Sequence, residues 1–189
     1  MSPTSQLYGR TFVGEERGSK RLALTYDDGP NDPHTLRLLD VLARHNVRAT
    51  FFVIGKYVKQ RPDIARAVVE GGHAIGNHTA SHPNLIFRTA AETRRELARC
   101  ESAIGDATGV RPNIFRPPFG GRRPSSLRAV RALGYETIMW SVTGYDWSAA
   151  SANQIVQKIS RQIHGGEVIL LHDGSHMRAD ADRALTVQA

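Results

Sequence analysis

Two histidines four residues apart, His78 and His82 in the segment HTASH, are the pair in this sequence best suited to hold a metal ion. That spacing brings both imidazoles to the same side of one helical turn, and Pro83 limits how far such a turn runs. Alone, two nearby histidines more often belong to a polar loop. They become a metal site when a carboxylate completes three protein ligands and leaves one coordination position open. Asp28, in TYDDGP (residues 25–30), is the best candidate for that carboxylate. Asp27 beside it is then free to act as a general base, kept ionised by the nearby cation. The residue after His78 is Thr79 rather than Glu, so the arrangement that carries its base on the histidine helix is absent.

Three further segments carry groups for acyl chemistry. FRPPFGG (residues 115–121) reads either as a rigid loop with a solvated Arg or as a chemical element. In the second reading Arg116 pairs with a carboxylate and the stiff turn aims the Phe119 amide at a developing oxyanion. YDW (residues 145–147) and LLHDG (residues 170–174) close the set. A His ending an apolar strand is often a satisfied core residue, and a Trp is usually core. Near Asp146, however, His172 is suited to be an imidazolium with a raised pKa, acting as a general acid. The single Cys100 excludes an internal disulfide and a Cys-pair zinc site, and reads as a small buried thiol.

These groups need a scaffold. Apolar, β-branched or aromatic runs at 21–26, 48–54, 73–76, 113–115, 137–142 and 167–171 read as six buried strands. Helical spacing separates them: Leu36, Leu39 and Ala43; Ile64, Ala67 and Val68; Leu97, Cys100 and Ile104; Leu127, Val130 and Leu133; Ile155, Ile159 and Ile163. Asp32 before Pro33, Thr89 with Glu92, and Ser151 with Gln154 predict helix N-termini. Strand and helix alternating in this way predict a mainly parallel sheet, closed as a barrel or open and doubly wound. Both forms gather functional groups at strand C-termini, where Asp27, Asp28, His78, Arg116, Asp146 and His172 all fall.

With 189 residues, 40% hydrophobic and 23% charged, the chain is long enough for one globular core without structural metal or disulfides. No apolar run approaches the roughly 18 residues of a membrane span. The start, MSPTSQLYGRTF, has no leader-like pattern, so the expectation is cytoplasmic as written, or exported if a leader was removed. The net charge of +7 suits an anionic polymer. Its basic residues are scattered without interleaved aromatics, which argues against nucleic acid; Arg94, Arg95 and Arg99 read as a solvated helix face.

Taken together and in order, TYDDGP, HTASH, RPPFG, the DW of YDW and LLHDG resemble the motifs of the polysaccharide deacetylase family, carbohydrate esterases with a NodB homology domain. The resemblance spans residues 25–174. It implies one domain over 1–189 with its motif core at 21–175, folded as a distorted (β/α) barrel. It also implies metal-dependent removal of acetyl groups from N-acetylglucosamine-containing polymers or oligomers such as chitin, chito-oligosaccharide or peptidoglycan. Position by position, it makes Asp28, His78 and His82 the metal ligands, Asp27 the base and His172 the acid. Arg116 becomes the partner of Asp27, Asp146 the partner of His172, and the Phe119 amide an oxyanion donor. Trp147 and Leu170 would wall the acetyl methyl group. Zinc (Zn2+) is the first choice of ion; Co2+, Ni2+, Mn2+ and Fe2+ also suit one carboxylate and two imidazoles. Tyr26 and Phe119 stand where family members often have Phe and Tyr, both mild exchanges. The family usually continues past LHDG through a last helix and strand, whereas this sequence reaches Ala189 about where that helix begins. Two rival readings are a non-haem iron oxygenase with a two-His, one-carboxylate site, and a barrel that binds glycan without turnover.

Overall fold

The computed structural model describes residues 2–189. One sheet holds β1 (Ala23–Asp27), β2 (Thr50–Val53), β3 (Ala74–Asn77), β4 (Ile114–Phe115), β5 (Glu136–Thr137), β6 (Val142–Thr143) and β7 (Val168–His172). The spatial order is β5-β4-β3-β2-β1-β7-β6, and every neighbouring pair is parallel. The sheet curls into the distorted barrel that the sequence motifs imply. Its central strands are short apolar runs: Phe51, Phe52 and Val53 of β2 are almost wholly buried, as expected when both faces of a parallel strand are covered.

Around the sheet lie α1 (His34–Arg44), α2 (Gly55–Gln60), α3 (Pro62–Glu70), α4 (Ala90–Thr108), α5 (Pro124–Ala132), α6 (Ala152–Ser160) and α7 (Ala184–Gln188). The longest, α4, starts at a capping box in which Thr89 accepts from the Glu92 amide and Glu92 accepts from the Thr89 amide. It ends at Gly109 in the left-handed region (φ 73°). Its Leu97, Cys100 and Ile104 are buried as their spacing predicts. The Cys100 thiol donates to the Val53 carbonyl at 3.4 Å, and burial pushes its pKa up to about 12. Ser151 caps α6 by accepting from the Gln154 amide.

Five local expectations change. The run 137–142 is not one strand: β5 pairs with β4 at one edge of the sheet and β6 pairs with β7 at the other. The residues between them cross the gap, and the Ile138 and Met139 carbonyls accept from Arg116 instead of from a neighbouring strand. Helix α1 buries Thr35, Leu38 and Leu42 rather than the stripe of Leu36, Leu39 and Ala43. Thr35 sets that rotation, because its hydroxyl accepts from the Asn31 amide at 2.8 Å and donates to Asp173 at 2.6 Å. Asp32 does not cap α1; it pairs with Arg61. Helix α2 was not expected at all, and Ile163 lies beyond the end of α6.

Candidate active site

HTASH forms an irregular loop after β3, not a helical turn. Thr79 (φ 68°) and His82 (φ 61°) both occupy the left-handed region, which is uncommon for residues with a side chain. Polar contacts hold this bend: the Thr79 amide donates to Asn77 Oδ1 at 2.9 Å, and the His82 amide donates to Thr79 Oγ1 at 3.0 Å. Asp28, just past β1, is also left-handed (φ 75°). The bends bring Asp28, His78 and His82 together, with one ligand atom from each lying within 4.8 Å of the others. Asp28 Oδ1 is 3.1 Å from His82 Nε2 and 3.5 Å from His78 Nε2.

The donor set fits a divalent cation. His78 Nδ1 is 2.7 Å from the Arg116 carbonyl, so Nδ1–H donates there and leaves the Nε2 lone pair directed to Asp28. Asp28 Oδ1 is buried and accepts no hydrogen bond among the described residues. Burial works against the Asp28 charge, yet His176, His78 and His82 hold its carboxyl well below the usual carboxylate range. Burial lowers the pKa of His82, favouring the neutral imidazole that a metal requires.

Asp27 ends β1 with Oδ1 at 2.7 Å from Arg116 Nη1, and Oδ2 is 3.7 Å from His78 Nε2. Arg116, entirely buried, leaves β4 with every nitrogen engaged: it donates to Thr25 Oγ1, Asp27 Oδ1 and the Ile138 and Met139 carbonyls. Its guanidinium also stacks over Phe52, 4.2 Å from the ring centroid. A buried cation requires such pairing.

On the far side of Asp27, His172 ends β7 and bonds Asp146 through two contacts. Its Nδ1–H and backbone amide donate to Oδ1 and Oδ2 at 2.9 and 2.7 Å, and Thr186 of α7 adds a third bond to Oδ2 at 2.9 Å. Burial opposes charge on His172, but the Asp146 hydrogen bond and charge outweigh it and raise the imidazole pKa. Trp147 stands edge-on to His172 at 5.1 Å and is half exposed. Leu170, buried two residues before His172, shares its face of β7. Phe119 sits in a left-handed turn (φ 57°) with its ring 4.6 Å from that of His82. All ten residues singled out in the sequence therefore lie at or beneath one rim.

Other contributors gave weaker sequence signals. The His176 amide donates to Asp28 Oδ2 at 3.2 Å, and its ring stacks on His82 at 4.5 Å. The signal for it is a further histidine four residues beyond His172. Asp173 lies wholly inside, and burial pushes its carboxyl up to about 7. Gly174 permits the chain to pass: a Cβ there would come within 2.2 Å of the Asp28 carbonyl oxygen. Nothing in the sequence marks Thr25 or Thr186 as partners of Arg116 and Asp146.

A parallel barrel with an Asp–His–His group and two ion pairs on its rim defines a class by geometry; comparison with known proteins supplies its lineage. Residues 14–138 match the polysaccharide deacetylase family model, and the chain belongs to that family. It is 36% identical over 177 residues to a peptidoglycan-N-acetylglucosamine deacetylase of Bacillus cereus, covering 93% of this chain and 64% of the relative. It is 39% identical over 170 residues to a chitooligosaccharide deacetylase of Sinorhizobium fredii, covering 88% and 78%. The structure of a family 4 carbohydrate esterase from Streptomyces lividans, in complex with acetate, superposes with a TM-score of 0.79 at 35% identity. That match covers 88% of this chain and 82% of the esterase. The chain thus spans less than two thirds of the Bacillus cereus relative.

Proposed function

We propose that this chain hydrolyses the N-acetyl group of N-acetylglucosamine units in a glycan, releasing acetate and leaving a free amino sugar. The observation that carries the reading is the donorless Asp28 Oδ1 facing two imidazole nitrogens, with Asp27–Arg116 and His172–Asp146 on either side. Zinc fits the ligand set best, held by Asp28, His78 and His82. When bound, such an ion supplies a Lewis acid for the acetamide carbonyl and acidifies water at neutral pH.

Asp27 takes the proton from the attacking water, and Arg116 fixes its carboxylate in place. The Phe119 amide donates to the oxyanion that develops as the carbonyl carbon becomes tetrahedral. His172, kept protonated by Asp146, delivers a proton to the departing nitrogen. Trp147 and Leu170 border the acetyl methyl group. Names of the relatives, acting on peptidoglycan N-acetylglucosamine and on chitooligosaccharide, support this substrate class.

The test is acetate release by zinc-loaded protein, under nitrogen, from chito-oligosaccharide and from peptidoglycan, with Asp27→Asn as the control. Release from either substrate that the control loses is the expected result. Absence of release from both, or a requirement for oxygen, would overturn the proposal.

A further inference from the structure

Arg122 is buried, 1% exposed, and pairs with no carboxylate among the described residues. Carbonyls surround it instead. Nη1 donates to the Gly120 carbonyl at 3.0 Å, while Nη2 donates to those of Ser2, Pro3 and Ser5 at 2.9, 3.1 and 2.9 Å. Nε is buried with no hydrogen-bond partner among the described residues. Arg116, the other wholly buried arginine, has Asp27 to balance its charge; Arg122 has no such partner. A hydrocarbon side chain would fill the space without desolvating a cation, so packing alone does not account for an arginine here.

Its bond to Gly120 places Arg122 on the turn that presents the Phe119 amide. Phe119 (φ 57°) and Gly120 (φ 64°) follow each other in the left-handed region, and Phe119 enters it with a side chain. Such a conformation persists only where the surroundings fix it. Within the turn, the Gly120 and Gly121 amides donate to the Pro117 and Pro118 carbonyls, both at 2.9 Å. Trp140 and Met139 lie against Gly120. Arg122 then ties the Gly120 carbonyl to a second turn at residues 2–5, in which the Ser5 amide donates to the Ser2 carbonyl at 3.2 Å. That second turn is itself anchored. Gln6 Oε1 accepts from the Thr11 amide at 2.7 Å. The Phe12 amide donates to the Thr137 carbonyl at 2.9 Å, and the Phe12 carbonyl accepts from the Met139 amide at 2.8 Å.

We infer that Arg122 is a positioning residue for the oxyanion donor: it clamps the Pro118–Gly120 turn to residues 2–5 and so keeps the Phe119 amide aimed at the acetamide carbonyl. This rests on the deacetylase reading and adds to it a residue that touches neither substrate nor metal ligand. A guanidinium suits the task because one planar fork reaches Gly120 through one nitrogen and three carbonyls of a separate segment through the other. Losing the clamp misaligns a donor that is needed most in the transition state, while the metal ligands and the rest of the cleft keep their geometry.

The experiment compares Arg122→Met and Arg122→Lys with the wild type, all zinc-loaded, on whichever of chito-oligosaccharide and peptidoglycan the wild type hydrolyses. Arg122→Met fills similar space without donors, and its kcat is expected to fall about tenfold to 100-fold with KM and zinc affinity within about twofold. Arg122→Lys keeps the cation but has one nitrogen in place of the fork. It should show the same split with a smaller fall in kcat, which reads the clamp even if Arg122→Met folds poorly. Amide hydrogen exchange at Gly120 and Gly121 should quicken about tenfold in Arg122→Met while β7 stays protected as in the wild type. Unchanged kcat in the folded variants, a loss carried by KM or zinc affinity, or an equal rise in exchange along β7 would overturn the inference. The exchange measurement also separates the two readings. If wild-type protein releases no acetate, the hydrolase falls, while protection of Gly120 and Gly121 that depends on Arg122 still decides the clamp.

Discussion

The two sides of the rim are finished to different degrees. Around β7, Asp146 accepts three hydrogen bonds from His172 and Thr186, so the buried carboxylate is satisfied by protein alone. Around β1 and β3, Asp28 Oδ1 and His82 Nδ1 are buried without a hydrogen-bond partner among the described residues. Unsatisfied buried polar atoms cost on the order of 1–3 kcal/mol each, and more when charged. The contrast teaches that the Asp146 carboxylate needs nothing beyond the protein, whereas Asp28 Oδ1 is left as an acceptor that a cation held by the two Nε2 atoms would satisfy.

Removing the cation should have the largest effect. Chelation, or His82→Ala, is expected to abolish acetate release. Zinc at about 100 times its Kd should stabilise the wild type by about 2.7 kcal/mol, read as a rise in Tm that His82→Ala lacks. An equal rise in both proteins would show that the ion binds elsewhere. Next in size, His172→Ala or Asp27→Asn should lower kcat by about 100-fold to 10,000-fold with zinc affinity retained. Near-normal turnover by both would remove the acid–base assignment.

Asp146→Asn sharpens the contrast through pH. The folded His172 has a raised pKa, so the stability its pairing adds is fully present below the unfolded value of about 6.5 and lost as pH rises through the folded one. The proton donor disappears over the same range. In the variant, burial acts without the opposing carboxylate, and the alkaline limb of kcat should move to lower pH by about 1–3 units. An unmoved limb would assign it to another group. The smallest effect belongs to His176→Ala, which removes the ring braced against His82 but keeps the backbone amide at Asp28. Zinc affinity should fall about tenfold, measured against a chromophoric chelator. Unchanged affinity would make the ring a bystander.

The alternation of apolar runs and helical spacing was enough to read a mainly parallel sheet, because β1, β2, β3 and β7 are buried strands, but it left open whether that sheet closes; the barrel was implied by the family resemblance alone. The run 137–142 misled for a physical reason: a chain crossing between sheet edges in a buried gap is as apolar as a strand, and only the tertiary partner of its carbonyls tells them apart. In the site, charged residues at strand ends were visible because chemistry restricts residue types. The bend of HTASH was not, since left-handed Thr79 and His82 carry no glycine to announce them. His176 and Thr186 contribute through a backbone amide and a hydroxyl, groups too common to stand out in a sequence.

Arg116 binds two things at once, the carboxylate of Asp27 and the carbonyls of the segment that bridges the sheet edges. The same guanidinium is therefore both latch and trigger guard. Whatever loosens the seam of the barrel also unmoors Asp27, and mild denaturant should abolish acetate release before the strands themselves come apart.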